Sequence, residues 1–393
     1  MDLDSFFVSV ERRIDSRLNG RPMLIGGASG RSVVAACSYE TRMFGVRSGM
    51  PMQMARRLCP EALVMRGNSE AYSECSREVT DVIQADVPIM EKASIDEFYA
   101  DLSGMDRFFD TLRFASELRQ KVIHETGLPI SLGLSSNKTV AKVATGEAKP
   151  DNEQHVPSGQ ERDFLKPLSI RKIPMVGEKT YQTLRNLGIQ HIGTLQDMPV
   201  EMLCGVMGNR GQTLWRKAHG LDDSPVLPHR EQKSMSSEQT FNEDSDDIAG
   251  LQRILSAMTE GLAFRLRQRG NLTGCVTVKI RYADFQTFSK QASLAYTGMD
   301  QVLIPKASAL FDRLLDRRVR IRLIAVKFSD LVSGGEQCSL FDDGGQQKAL
   351  RNALDDLRGR YGKSAVGWAF GMGHHLDEFS LENQRISPHR EFL

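Results

Sequence analysis

The chain opens on MDLDSFFVSVE, which alternates briefly and then turns amphipathic, so a short strand is expected to run directly into a helix. RSVVAAC (31–37) reads as a strand, 50–58 as a helix and 69–85 as a longer helix. KASIDEFYADLSG (92–104) reads as a strand hairpin closed by Gly104. Phe108 to Thr126 is helical by pattern and stops before Gly127. PISLGLSSN (129–137) follows as a strand, and KTVAKVATGEAK (138–149) as a helix stopped by Pro150. This succession outlines an α+β domain.

From about residue 161 the pattern changes to short helices with Gly-rich turns, among them PMVGEKTYQTL and LGIQHIGTL. LPHREQKSMSSE (227–238) has no apolar period and reads as a linker. Beyond it, 248–269 is helical, 274–291 is an alternating hairpin, Lys306–Asp316 is helical and 318–332 is another alternating strand. These predict a second, smaller α+β domain. The Gly-flanked stretch SGGEQCSLFDDGGQQ comes next, then a helix with Leu350, Leu354, Leu357 and Tyr361 on one face and Gly362 at its end.

Composition narrows the setting. The 393 residues leave room for two or more domains. Lys plus Arg total 51 and Asp plus Glu total 50, so any nucleic-acid signal has to be local. Six scattered cysteines with no CxxC pair suit a reducing cytoplasm and argue against a disulfide framework or a zinc ribbon. No apolar run approaches the roughly 20 residues of a membrane span. Local basic stretches do occur. Residues 262–290 carry Arg265, Arg267, Arg269, Lys279, Arg281 and Lys290 against Asp284, and 317–327 carry Arg317, Arg318, Arg320, Arg322 and Lys327. Such rows could hold phosphates without reading sequence, or could be solvated surface.

The candidate chemistry is acidic. Asp2 and Asp4 end the first strand, and Asp96 and Glu97 sit together in the hairpin, bracketed by Ala93, Ile95 and Phe98. Buried carboxylates there need a cation or a basic partner. Phosphoryl transfer to a hydroxyl uses two divalent ions about 3.5–4 Å apart, and Mg²⁺ takes carboxylates readily. The same acids could equally cap surface turns. Strict alternation would also point Asp96 and Glu97 to opposite faces, so both can ligate only if the hairpin twists.

Longer strings decide among these readings. MDLDSFFVSVE, CSYETRMFGVRSGMP (37–51), ASIDEFYADL (93–102), SLGLSSNKTVAKVATGEAKP (131–150), IPMVGEKTYQTLRNLGI (173–189), KSMSSEQTF (233–241) and VTVKIRYADFQT (276–287) occur in this order. Together they resemble the Y-family of translesion DNA polymerases, and FGVRSGMP with the later motifs is nearest the bacterial polymerase IV type. The resemblance implies an α+β, multi-domain right-hand polymerase with a ferredoxin-like palm (1–14 and 67–160), fingers (15–66), a helical thumb with a helix-hairpin-helix (161–226), a linker (227–236), an α+β little finger (237–333) and a C-terminal tail (334–393).

It also implies roles. Asp2 and Asp96 would bridge two Mg²⁺ ions, Glu97 would hold the catalytic one, and the Leu3 carbonyl would complete the nucleotide-side site; Asp4 would stand behind them. Phe6, Phe7, Tyr39, Arg42 and Lys149 would bind the dNTP, with Phe7 as the steric gate against a 2′-hydroxyl. Ala35 and Ala36 would leave an open roof over the nascent pair, hence low fidelity and lesion bypass. Gly177, Lys179, Lys279, Arg281, Arg320 and Arg322 would hold primer-template DNA. QCSLF (337–341) resembles a bacterial sliding-clamp-binding peptide through Gln337, Leu340 and Phe341. The expected protein is a monomeric cytoplasmic enzyme without a proofreading exonuclease or a membrane span. Rival readings are a polymerase V-type subunit, a palm-domain nucleotidyl cyclase and an inactive DNA-binding scaffold.

In this family several residues precede the first catalytic Asp and begin a central strand. With that Asp at position 2, the opening is expected to fray, the Met1 amino group is expected to repel nearby metal, and the native chain is expected to be longer by about one strand, roughly five to eight residues.

Overall fold

The computed structural model describes residues 1–27, 29–108, 110–229, 231–334, 344–362 and 365–367. The chain divides into two compact units, Met1–Arg230 and Glu231–Leu393, and the division falls in the stretch read as a linker.

In the first unit, strand β1 (Asp2–Leu3) turns into helix α1 (Phe6–Ile14) through Ser5, which holds φ 43° and ψ 47°. That left-handed conformation costs a non-glycine residue on the order of 1 kcal/mol. It reverses the chain within two residues and sets Phe6 and Phe7 directly after the acids. A small sheet of β2 (Met23–Gly26), β3 (Val34–Cys37) and β4 (Leu63–Met65), in the order β3-β2-β4, carries α2 (Tyr39–Met43) and α3 (Met52–Leu58) over its own core. Helix α4 (Ser69–Asp86) then leads to β5 (Ile89–Lys92) and β6 (Phe98–Asp101).

This hairpin departs from the expected one. Its strands lie on either side of Ala93–Glu97, so Asp96 and Glu97 occupy the turn, and Gly104 lies beyond it. The alternation objection therefore does not apply, because turn residues do not follow the two-residue period of a strand. Helix α5 (Thr111–Thr126) also starts later than expected. Asp110 caps it by accepting from Leu112 N and Arg113 N at 3.0 and 3.2 Å, and Phe108 is left 80% exposed. Gly127, at φ 67°, ends it.

Strand β7 (Ile130–Leu134) pairs antiparallel with β1 and parallel with β8 (Glu153–His155). Helix α6 (Lys138–Ala148) crosses β7 at Gly133, where a Cβ would collide with the Ala141 carbonyl and the Thr145 amide. That close approach brings the lysines of α6 onto the first strand. Helices α7 (Glu161–Leu165), α8 (Glu178–Asn186), α9 (Ile192–Gln196), α10 (Val200–Met207) and α11 (Asn209–Ala218) share an apolar core with α6.

The opening does not fray. Met1 donates to the Phe98 carbonyl at 2.9 Å and accepts from Phe98 N at 3.0 Å; Leu3 N reaches Asp96 O at 2.9 Å, and Asp4 N reaches Pro129 O at 2.9 Å. Pairing on both sides holds this short strand in place. Beside Met1, however, β6 and β7 flank a small open groove, with Tyr99, Ala100 and Leu102 on one wall and Leu132, Gly133 and Leu134 on the other.

In the second unit the four-stranded sheet has the order β11-β10-β12-β9, from β9 (Ser234–Ser245), β10 (Asn271–Tyr282), β11 (Thr287–Thr297) and β12 (Ile321–Ser333). β9 begins inside the expected linker. Along β10, Val276, Val278, Ile280 and Tyr282 are buried against α12 (Ile248–Gln268) and α13 (Asp300–Asp312), while alternate residues stay half-exposed.

Helix α14 (Gly344–Tyr361) does not dock through the expected apolar stripe. Leu350 and Tyr361 are 54% and 72% exposed, whereas Arg358 is 3% exposed and pairs with Glu260, Asp300 and Asp355. Arg267 joins the same cluster through Asp300 and Asp355, at 2.9 and 2.6 Å. Arg267 is thus a buried structural cation and no part of an exposed basic row.

Candidate active site

The turn between β5 and β6 is pinned from both sides. Ala93 N and Ser94 N both donate to Glu97 O, at 3.0 and 3.3 Å, and the Ser76 hydroxyl of α4 donates to Ile95 O at 2.5 Å. Ser94 Oγ donates to Asp96 Oδ1 at 2.6 Å. An isolated bridge joins Asp2 to Glu97 across the gap between the two strand pairs. Asp2, Asp96 and Glu97 therefore meet from segments more than ninety residues apart in sequence.

Two lysines of α6 and its C-cap enter this acidic cluster. Lys149 Nζ pairs with Asp2 Oδ1 and donates to the Leu3 carbonyl at 3.1 Å. Lys142 Nζ pairs with Glu97 and reaches Asp2 Oδ2 at 3.2 Å. Burial opposes the charge of Asp2, but Lys149 and then Lys142 outweigh it and hold its carboxyl below the usual range. Asp96 has no such partner. Burial pushes its carboxyl up, and the neighbouring charges of Asp2 and Glu97 add to the effect against the Ser94 hydrogen bond. Burial likewise lowers the Met1 amino group to about 6.

Among the described residues, no three His, Cys, Asp or Glu side chains stand ready-made around one point. The lysines explain this, since they hold Asp2 and Glu97 as ion pairs. By donor chemistry the set still suits a hard divalent cation: three carboxylates and the Leu3 carbonyl, all oxygen.

Asp4 stands behind this cluster, 2% exposed. Its Oδ2 accepts from Ser131 Oγ and Asp151 N, each at 2.7 Å; its Oδ1 accepts from Tyr39 OH at 3.2 Å and lies 3.3 Å from Lys149 Nζ. It ties together β1, β7, α2 and the end of α6. Arg42 stacks over the Tyr39 ring at 4.5 Å, so Tyr39, Arg42 and Lys149 form one polar edge beside the acids.

Phe6 is taken up by the core at 3% exposure. Phe7 lies stacked on Tyr72 at 4.3 Å and 12°, and Tyr72 OH donates to the buried Glu11 at 2.5 Å. Ala35 is exposed and Ala36 half-buried.

The expected DNA contacts are distributed over both units. Gly177 caps α8 in extended conformation, and a Cβ there would meet open space; Lys179 is exposed. The left-handed residue of this turn is Met175, at φ 78°. In the second unit, acids of β9 and the residue after it neutralise part of the basic row: Lys279 pairs with Glu238, Arg322 with Asp244 at 4.0 Å and Arg320 with Asp246 at 3.5 Å. Arg281 donates to Thr287 Oγ1 at 2.9 Å. Gln337, Leu340 and Phe341 lie outside the described residues.

Sequence reasoning missed Lys142, Ser94, Ser131 and the Tyr72–Glu11 support of Phe7. Only the seven-residue spacing from Lys142 to Lys149 hinted that both face the same strand.

Comparison with known proteins agrees with this geometry. Residues 1–146 match the impB/mucB/samB family, and residues 232–340 match that family's C-terminal domain. A DNA polymerase IV of Dehalococcoides mccartyi is 36% identical over 370 residues, covering 93% of this chain and 95% of its own. A DNA polymerase IV of Halorhodospira halophila is 36% identical over 87% of this chain and 97% of its own. Among solved structures, a Y-family polymerase chimera, Dbh-Dpo4(243-245)-Dbh, shares the fold at TM-score 0.76 and 23% identity, covering 85% of this chain and 98% of its own. An insertion ternary complex of Dbh DNA polymerase does so at TM-score 0.61 and 24% identity, with the same coverage. The α+β architecture of palm, fingers, thumb and little finger is theirs as well. The chain belongs to the impB/mucB/samB family, the Y-family DNA polymerases, and stands in it with the DNA polymerase IV proteins.

Proposed function

We propose that this protein is a low-fidelity, template-directed DNA polymerase that copies past damaged bases, joining dNTPs to a primer 3′-hydroxyl. The observation that carries this reading is the meeting of Asp2, Asp96 and Glu97 beside the Tyr39, Arg42 and Lys149 edge, with Phe7 stacked close by. Asp2, Asp96, Glu97 and the Leu3 carbonyl would hold two Mg²⁺ ions. When bound, such ions offset charge on the attacking and leaving oxygens. Lys149 and Arg42 would take the β- and γ-phosphates, and Tyr39 would orient them through its bond to Asp4.

The small side chains of Ala35 and Ala36 would check the shape of the base pair poorly. Gly177, Lys179, Lys279, Arg281, Arg320 and Arg322 would track the DNA backbone, each in its own unit. A nucleotidyl cyclase needs no matching C-terminal domain, and an inactive scaffold needs no intact acidic cluster. The curated relatives are DNA polymerase IV proteins, which disfavours a polymerase V subunit. No helix of the described residues is long and apolar enough to cross a membrane, and we place the enzyme in the cytoplasm as a monomer. Primer extension on intact and lesion-bearing templates tests the reading; failure to extend either with Mg²⁺ and all four dNTPs would refute it.

Phe7 is expected to act as the gate against ribonucleotides. Its ring is backed by Tyr72, so Phe7→Ala should open space that the stacked pair cannot refill. Sugar discrimination should fall at least tenfold, about 1.4 kcal/mol or more. Unchanged ribonucleotide incorporation would reduce Phe7 to a packing residue.

Residues 337–341 are proposed to bind a bacterial sliding clamp. Deleting them should leave unassisted synthesis intact and remove stimulation by the clamp. Equal stimulation of both forms would place the contact elsewhere.

A further inference from the structure

Lys142 is the one member of the acidic cluster to which neither the resemblance nor the proposed mechanism gives a task. Its ammonium pairs with Glu97, reaches Asp2 Oδ2 at 3.2 Å, and is 29% exposed. Its position is fixed by the backbone: α6 is pressed onto β7 at Gly133 through Ala141 and Thr145, and Lys142, next to Ala141, reaches Asp2 of β1. Lys149 also contacts two donors, Asp2 and the Leu3 carbonyl, but the proposed mechanism already gives it the nucleotide's phosphates. Lys142 thus spends its charge on two of the oxygen donors that a divalent cation would need.

We propose that Lys142 is a built-in counter-ion that competes with the divalent metal for Glu97 and Asp2. In the metal-free protein it bridges the Asp2 and Glu97 carboxylates and offsets their mutual repulsion. Loading the metal then requires Lys142 to swing off Glu97, so metal affinity in the absence of DNA and nucleotide is weaker than the donor set alone would give. This coupling would disfavour metal binding until substrate supplies its own phosphate oxygens. The inference rests on the metal-site reading above.

The test is Mn²⁺ binding to the full chain without DNA, followed by electron paramagnetic resonance, together with the melting temperature of the metal-free protein. Lys142→Met should bind Mn²⁺ at least threefold more tightly than wild type and melt lower without metal. Lys142→Arg, which keeps the charge, should bind as wild type. Lys138→Met is the control for loss of charge alone, because Lys138 pairs with Glu91 instead, and it should leave Mn²⁺ affinity unchanged. Lys142→Gln serves if the methionine variant does not fold. Unchanged or weaker Mn²⁺ binding in Lys142→Met, or an equal gain in Lys138→Met, overturns the proposal. Asp96→Ala separates the two readings: if it binds Mn²⁺ as wild type does, the metal site itself is misassigned, whereas weakened binding in Asp96→Ala with no gain in Lys142→Met removes only the counter-ion.

Discussion

Asp96→Ala is expected to reduce primer extension at least a thousandfold, about 4 kcal/mol of transition-state stabilisation, while leaving DNA affinity within a few-fold of wild type. The side chain sits in a turn whose backbone is fixed by Ala93, Ser94 and Ile95, so its removal should leave the hairpin in place. Stability should not suffer, because burial and two like charges already work against this carboxylate. The expected signature is therefore a fall in rate with a melting temperature that stays the same or rises. Single-turnover extension, DNA binding by fluorescence anisotropy and thermal denaturation read the three quantities. Extension by Asp96→Ala at near wild-type rate would remove the two-metal assignment.

The second large effect is expected from adding residues ahead of Met1. The groove beside Met1 has strand edges on both walls, and its register follows from the pairs already made, Asp2 with Ser131 on one side and Asp2 with Glu97 on the other. An apolar, β-forming extension of about five residues, one strand length, would run between Tyr99–Asp101 and Leu132–Leu134 and merge the two strand pairs into one sheet. Ordering five residues costs about 5–10 kcal/mol. Burying about three apolar side chains returns about 5–9 kcal/mol, and four to six hydrogen bonds add about 1 kcal/mol each. At matching ends of these ranges the net gain is about 4–5 kcal/mol, or about 8–20 °C in melting temperature. The buried Met1 amino group would become a neutral amide, which should help the rate as well. Extended and present forms that melt together and extend primers equally fast would show that β1 is sufficient at its present length.

Much of the fold could be read from local pattern. The strand-to-helix opening, the helix at 69–86 and the alternation along β10 follow directly from apolar spacing. The hairpin was misplaced because Gly104 is the strongest turn residue in its window, while the actual turn uses Ser94 and Asp96, whose side chains bond to each other and to the local backbone. The docked face of α14 was misread for a related reason: periodicity scores leucines, and here Arg358 is buried through three acids distant in sequence or one turn away. The acids and phosphate-edge residues were legible only as parts of long motifs. Lys142 was not, since nothing local separates it from Lys138; only the contact of α6 with β7 does. The neutralising acids Glu238, Asp244 and Asp246 are not legible from local charge, because they lie on or just past β9, far in sequence from the basic stretches 262–290 and 317–327.

The pairing of β1 with β7 also sets a timetable for synthesis. Asp2 and Leu3 are synthesised well before their partners Ser131 and Ile130, which follow roughly 130 residues later, a delay of about 6–26 s at 5–20 residues per second. During that interval Leu3, Phe6, Val8 and Val10, all buried in the finished protein, have no sheet to join. The strand that carries the proposed catalytic acid is thus made early and placed late, and the growing chain carries an exposed apolar segment that a ribosome-bound chaperone would meet before any part of the proposed active site exists.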